Sequence, residues 1–198
     1  MSFQMLLKRI IDFIIPLIAL IISSPLFLLA AILIKLDSKG PVFFKQERLG
    51  KNGKIFKILK FRTMAENAEN IGLGLASAEN DPRITRFGRF LRERTLDELP
   101  QLINIIKGEM SLVGPRPLPP EYKNKDSSSN KLLWHKRLSI KQGLISIVDI
   151  KGRGFVPWEK GLEYDAWYVD NWSLWLDFKI LIIGFLVVLS KKGIYGDW

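Results

Sequence analysis

The sequence contains no cysteine and a single histidine, His135. The first absence excludes disulfides, thiolate metal sites and cysteine nucleophiles; the second excludes histidine-rich metal centres. Any divalent metal would therefore need oxygen ligands, which points to magnesium or manganese. Acidic residues are also in short supply: 20 Asp and Glu face 30 Lys and Arg, leaving a formal charge of +10. Such a surplus calls for an anionic partner, whether nucleic acid, anionic lipid headgroups or phosphorylated substrates. Apolar residues are not scarce. At 47% of 198 positions they suffice for one core-forming domain with membrane-contacting ends.

Charge is nearly missing between Ile10 and Ile34, where only Asp12, Pro16 and Ser23-Ser24-Pro25 interrupt an apolar run. A helix of that length measures roughly 37 Å, enough to cross a bilayer. Its flanks argue otherwise. Lys8 and Arg9 precede it while Lys35, Lys39, Lys45 and Arg48 follow it, so both ends carry the charge that favours the cytoplasmic face. A segment that enters and leaves on one side resolves the conflict. Pro25 removes a backbone donor, and the hydroxyls of Ser23 and Ser24 are placed to satisfy the carbonyls it frees, so a re-entrant helix-break-helix kinked at Ser24-Pro25 is expected. A cleaved signal peptide fits poorly, because the run is too long and no small-residue cleavage site follows it. Near the other end, Trp167, Trp172 and Trp175 lead into the apolar run Ile180 to Leu189, closed by Lys191-Lys192. Two readings stand for that run: a helix lying in the headgroup region, or a buried core helix.

Between these ends, Val42-Phe43-Phe44 and Lys54 to Phe61 read as strands of a β-hairpin around the turn residues Gly50-Lys51-Asn52-Gly53. Lys57, Lys60 and Arg62 form a basic face that suits either a phosphate-bearing ligand or solvent. Residues 67 to 80 read as a loop or lid. Asp81-Pro82-Arg83 reads as the opening of a helix in which Arg83, Arg86, Arg89 and Arg92 share one side, with Ile84, Phe87, Phe90 and Leu91 turned inward. Arg92 is placed to meet a phosphate bidentately.

Immediately after comes Asp97-Glu98, expected to open a helix running to about Lys107 and ended by Gly108. Thr95 and Glu98 also fit a capping box, an architectural explanation for the same residues. An aspartate near a helix N-terminus is biased towards the ionised form that a carboxylate nucleophile requires. Met110 to Pro117 reads as a stiff loop in which Pro115 and Pro117 fix the backbone around Arg116. Residues Asp126 to Lys131 form a polar loop, Gly143, Gly152 and Gly154 frame loops around Arg153, another phosphate contact candidate, and Asp165 lies among aromatics. A lone histidine such as His135 is more often structural than catalytic.

Taken in order, the Ser24-Pro25 kink, Lys60-Phe-Arg-Thr-Met64, Asp81-Pro-Arg83, Leu96-Asp-Glu-Leu-Pro-Gln-Leu102, Asn104 and Lys107 to Pro117 resemble the bacterial sugar transferase family. These are the monotopic polyprenyl-phosphate phosphoglycosyl transferases, and the likeness covers nearly the whole chain in their minimal catalytic form. The resemblance implies a membrane-associated α/β (α+β) fold. It would comprise a re-entrant helix over 1–36, a catalytic domain over 37–174 with a small β-hairpin and a helical core, and an interfacial amphipathic tail over 175–198. It implies residence on the cytoplasmic face of the bacterial inner membrane, among anionic lipids.

The implied reaction transfers a sugar 1-phosphate from a UDP-sugar to undecaprenyl phosphate, releasing UMP, as the initiating step of a bacterial glycan. Asp97 would be the nucleophile and Glu98 the ligand of Mg²⁺. Arg92, Pro115, Arg116 and Pro117 would contact substrate phosphates, with Lys60, Arg62 and Arg153 as further candidates. One departure stands out: the family commonly has Pro-Gly-Leu-Thr-Gly where this chain has Gln142-Gly143-Leu-Ile145-Ser146, followed by Asp149. Two rivals are a membrane-surface phosphohydrolase using the same carboxylates, and a non-catalytic adaptor binding anionic lipid or RNA. The adaptor gives no reason to set Asp-Glu beside an arginine row, so nucleic acid drops out as a partner.

Overall fold

A computed structural model of the chain describes residues 3–66, 68, 81–125, 130–152 and 156–189. It opens with a helix of 35 residues, α1 (Phe3–Asp37), and continues through β1 (Phe43–Leu49), β2 (Ile55–Phe61) and α2 (Arg86–Glu93). A 3-10 turn (Leu96–Glu98) precedes α3 (Gln101–Lys107), β3 (Ser111–Val113) and α4 (Lys131–Leu138). The remaining elements are β4 (Gly143–Ile145), α5 (Ile147–Lys151), α6 (Trp158–Asp170) and α7 (Leu174–Leu189). The fold is thus mixed helix and small sheets.

The expected break in the first segment is absent, because α1 runs uninterrupted through Pro16 and Pro25. The local chemistry explains the continuity. Pro25 leaves the carbonyl of Ile21 without its backbone donor, and the Ser24 hydroxyl donates to that oxygen at 2.8 Å; Ser23 donates to the carbonyl of Ala19 at 2.6 Å. At 1.5 Å per residue the helix is roughly 52 Å long.

Both ends of α1 dock on the rest of the chain. Near its start, Arg9 donates to the carbonyls of Ile105 and Ile106 at the end of α3, at 3.1 and 3.2 Å. Asp12, buried, accepts from the Leu112 backbone at 3.0 Å and from the Ser111 hydroxyl at 3.2 Å. Near its finish, Ala30 and Ile34 pack against Phe61 and Leu91, and Asp37 accepts from the Phe87 backbone at 2.9 Å. The remaining face is apolar and open, with Ile14, Ile18, Ile21, Ile22, Leu28, Leu29 and Ile32 all exposed.

β1 and β2 pair antiparallel, from Phe43 opposite Phe61 to Leu49 opposite Ile55. The turn between them places Asn52 and Gly53 at φ of 57° and 71°, a conformation these residue types adopt at low cost. A second sheet, absent from the sequence reading, pairs β3 and β4 in parallel, so the presumed loop from Met110 begins as a strand. Its close approach depends on two glycines: a Cβ on Gly143 would stand 2.1 Å from the backbone nitrogen of Gly114.

The main core joins Ile58, Leu102, Ile105, Met110, Val113, Ile147, Tyr168 and Ile180. Each fully buried aliphatic side chain of this kind stabilises the fold by about 1.5–3 kcal/mol. Helix α7 has one face in the core and one face open. Ile180 lies in the core, and buried Asp177 accepts from Tyr168 Oη at 2.6 Å, Lys8 Nζ at 2.5 Å and Trp172 Nε1 at 3.2 Å. Its other face exposes Trp175, Phe178, Phe185 and Leu186. Lys191 and Lys192 lie outside the described residues.

The arginine row is shorter than expected. Helix α2 starts at Arg86, where the Thr85 hydroxyl accepts from the Gly88 backbone, and Arg83 stays in the preceding turn, paired to Asp81 at 2.7 Å. An aspartate engaged with its neighbour two residues on cannot cap a helix there. Phe90, expected inside, is 42% exposed with the Arg94 guanidinium 3.9 Å over its ring.

Candidate active site

The dyad does not open a continuous helix. Asp97 and Glu98 sit in the short 3-10 turn, separated from α3 by Leu99 and Pro100. The capping box is not formed either, because Thr95 adopts φ 56°, ψ 18° and makes no side-chain cap bond. For a β-branched residue that left-handed conformation costs on the order of 1–3 kcal/mol, and it bends the chain so that both carboxyls turn inward. Asp97 is 9% exposed and Glu98 7%.

Three elements converge on this turn. From the end of β2, Lys60 Nζ reaches Glu98 Oε1 at 2.9 Å, and from the loop after β3, Arg116 Nη2 reaches the same oxygen, also at 2.9 Å. The other arm of Arg116 lies 3.5 Å from Asp149 Oδ1. Asn104 clips α3 to β2: its amide oxygen accepts from the Leu59 backbone at 3.0 Å and its amide nitrogen donates to the Lys57 carbonyl at 2.9 Å. From α2, Arg92 donates to the Thr63 hydroxyl at 2.8 Å and contributes its charge to the field around Asp97.

Burial raises the Asp97 carboxyl above the ordinary carboxylate range, reinforced by the charge of Glu98 and opposed by Lys60, Arg92 and Arg116. The macrodipole expected to keep it ionised has little helix to draw on, so ionisation rests on the cations. Arg116 is held more firmly cationic than a free arginine, chiefly by Glu98.

The Pro-Arg-Pro segment is sewn down on three sides. The carbonyl of Pro115 accepts from Gly143 at 2.9 Å, and that of Leu118 from Leu49 at 2.8 Å. Arg137 Nη2 on α4 donates to the Arg116 carbonyl at 2.8 Å, while its Nε pairs with Asp165 Oδ2 on α6 at 2.9 Å. That pair is buried, and desolvation pushes the Asp165 carboxyl up to about 6 against the pull of Arg137. Asp165 is therefore a brace behind the site. Asp149 has a similar dual use: it forms a capping box with Ser146 at the start of α5 while facing Arg116, so the unusual Gln142 to Ser146 stretch is β4 plus a helix cap.

Of the residues expected at the site, Lys60, Glu98, Arg116 and Pro117 line one cleft, and Asp97 lies in the field of Lys60, Glu98, Arg92 and Arg116. Arg62 is not among them; it is buried and donates to the carbonyls of Ile34 and Ser38, tying down the end of α1. His135 is on the exposed side of α4. Arg153 and, apart from Ala68, the expected loop or lid at 67–80 lie outside the described residues. The sequence reading missed Arg48 and Gln101, which also line the cleft. No local pattern marks them, since they become neighbours only through the pairing of β1 with β2 and the packing of α3.

Two adjacent carboxylates thus face converging guanidinium and ammonium groups, with a long apolar helix alongside. Comparison with known proteins gives the class. The chain belongs to the bacterial sugar transferase family, whose profile matches residues 3–191, and it is accordingly a transferase. It is 40% identical over 190 residues to the sugar transferase EpsL of Bacillus subtilis (strain 168), covering 96% of this chain and 91% of that protein. Exopolysaccharide production protein ExoY of Sinorhizobium fredii (strain NBRC 101917 / NGR234) is 38% identical over 202 residues, covering 95% and 88%. UDP-glucose:undecaprenyl-phosphate glucose-1-phosphate transferase of Klebsiella pneumoniae is 39% identical over 201 residues; there the match covers 97% of this chain but 42% of the relative.

Proposed function

We propose that the protein transfers a sugar 1-phosphate from a UDP-sugar to undecaprenyl phosphate at the cytoplasmic face of the bacterial inner membrane, in the first membrane step of glycan assembly. The observation that carries this reading is the buried Asp97-Glu98 pair with Lys60 and Arg116 meeting on one Glu98 oxygen. The activity in the name of the Klebsiella pneumoniae relative supports the substrate classes.

In the first step an oxygen of Asp97 attacks the phosphorus that carries the sugar. The bond from that phosphorus to the bridging oxygen of the diphosphate breaks, and UMP leaves with the electron pair. In the second step an oxygen of the lipid phosphate attacks the same phosphorus, the aspartyl oxygen departs, and the carboxylate is restored. A carboxylate nucleophile splits one difficult transfer into two displacements, and Arg116, Arg92 and Lys60 offset the negative charge spread over the phosphoryl oxygens. Among the described residues no three metal-type side chains cluster. Two adjacent carboxylates nonetheless fit Mg²⁺, which commonly takes one or two protein oxygens and fills its shell with substrate phosphate and water. Glu98 would hold the ion, which when bound would neutralise charge on the diphosphate.

The test is a panel of UDP-sugars offered with undecaprenyl phosphate and Mg²⁺. UMP and a lipid-linked phosphosugar are expected from at least one. Release of UDP would mean glycosyl transfer, and release of sugar phosphate into water would mean a hydrolase.

A monotopic seat is supported by the docking of both ends of α1 on one body, which leaves only its apolar outer face for lipid. Because the chain has no cysteine, single cysteines at Gln4 and Ser38 can be labelled cleanly. Both are expected to react with an impermeant maleimide only from the cytoplasmic side of inverted vesicles. Reaction from opposite sides would make α1 a true span.

A further inference from the structure

The cleft lined by Glu98 has a volume of about 30 Å³, and its wall also includes Arg48, Lys60, Gln101 and Arg116. By the measure in which one water needs about 10–15 Å³, it admits about two or three oxygen-sized atoms. Two donors in its wall are unused. Gln101 is 2% exposed and its Nε2 has no acceptor; Arg48 Nε is likewise buried without one. Buried donors in a folded protein are nearly always paired, and an unpaired donor in the wall of a cleft is open to an acceptor from a ligand or water, unlike the unpaired donors of Arg62 and Arg137, which do not line it.

The charge balance says which kind of acceptor. Arg48 Nη2 donates to the neutral amide of Gln46, and among the described residues no carboxylate is in ion-pair contact with Arg48. Glu98, by contrast, already serves both Lys60 and Arg116. A neutral acceptor would satisfy Gln101, whereas an anion would also answer Arg48, whose charge Glu98 and Glu121 offset only in part. Burial, then the charge of Arg116, lower Arg48 to about 10 against the opposing pull of Glu98 and Glu121, and an anion seated beside it would add to that pull.

We propose that Arg48 and Gln101 form a phosphate subsite, separate from the Asp97-Glu98 pair, that takes the oxygens of a substrate phosphate not attacked by Asp97. This rests on the transferase reading above, in which two such phosphates exist: the uridine-side phosphate of the nucleotide sugar and the phosphate of the lipid acceptor. Gln101 would give a directional neutral bond and Arg48 the charge.

Full-length Arg48→Gln and Gln101→Leu proteins, with Arg48→Lys as the milder change, test it through KM measured separately for UDP-sugar and for undecaprenyl phosphate. For each of the first two variants, one KM is expected to rise about 10-fold with the other unchanged, Arg48→Lys falling between. A rise for UDP-sugar assigns the subsite to the nucleotide, and a rise for the lipid assigns it to the acceptor. If neither KM moves more than twofold in proteins melting at the wild-type temperature, the subsite is refuted. Thermal shift with inorganic pyrophosphate separates this idea from the transferase reading and needs no turnover. A stabilisation of wild type that Arg48→Gln loses supports the subsite even if no UDP-sugar is consumed; an equal shift in both, or none in wild type, overturns it.

Discussion

Asparagine in place of Asp97 is expected to lower transfer by at least about 10³-fold, because the variant keeps the shape of the side chain and loses the attacking oxygen's charge. Melting temperature should hold or rise slightly. A buried carboxyl already pushed upward by desolvation gains little for the fold by being ionised, and a neutral amide removes that cost. Incubating enzyme with UDP-sugar and no lipid sharpens the contrast. Wild type should release UMP up to one equivalent per enzyme and then stop, with a phosphosugar mass added to the peptide containing Asp97. The variant should release none. Turnover above a tenth of wild type in Asp97→Asn would leave the covalent scheme without support.

Breaking the pair behind Arg116 should have the largest effect on stability. Asp165→Ala leaves the Arg137 guanidinium buried without its carboxylate, at a cost of about 3–5 kcal/mol. In a chain of this size each kcal/mol lowers the melting temperature by roughly 2–4 °C, so a drop near 10 °C is expected. Replacing both partners by apolar residues, Arg137→Met with Asp165→Leu, should restore most of that loss, since well-packed apolar pairs often equal a buried ion pair. Activity should not follow stability. The double variant still lacks the donor to the Arg116 carbonyl, and a loosened Pro-Arg-Pro segment is expected to cost about tenfold in kcat/KM. Recovery of both together would show that the pair only stabilises.

The parts of the fold visible in the sequence are those written locally. The hairpin was legible because Asn52 and Gly53 carry the turn, and the end of α3 because Gly108 takes φ 82°. The pairing of Ser24 with the carbonyl freed by Pro25 was also foreseeable, though its result is a continuous helix where a break was expected. Misreadings arose where one residue type serves two purposes. Pro82 resembles a helix start, yet Asp81 spends its carboxylate on Arg83. Thr95 and Glu98 have the spacing of a capping box, yet the left-handed Thr95 forbids it. β3 and β4 are three residues each, β3 wholly buried and β4 partly so, too short to show alternation. At the site, Asp97, Glu98 and Arg116 could be picked out because acids beside arginines and prolines are conspicuous. Arg48, Gln101 and the Arg137–Asp165 pair could not, since their meaning lies in partners 28 or more positions away or in a shared cavity.

Helix α1 returns both of its ends to the same body, and on the proposed seating this bears on how the protein reaches its place. No charged segment has to be carried through hydrocarbon, so the finished chain can partition into a membrane from one side. Its bulk would then occupy a single leaflet, displacing lipid there and not in the opposite one. Accumulation of such a protein would strain the bilayer asymmetrically, and the enzyme would sense the lateral pressure of the leaflet that also holds its lipid acceptor.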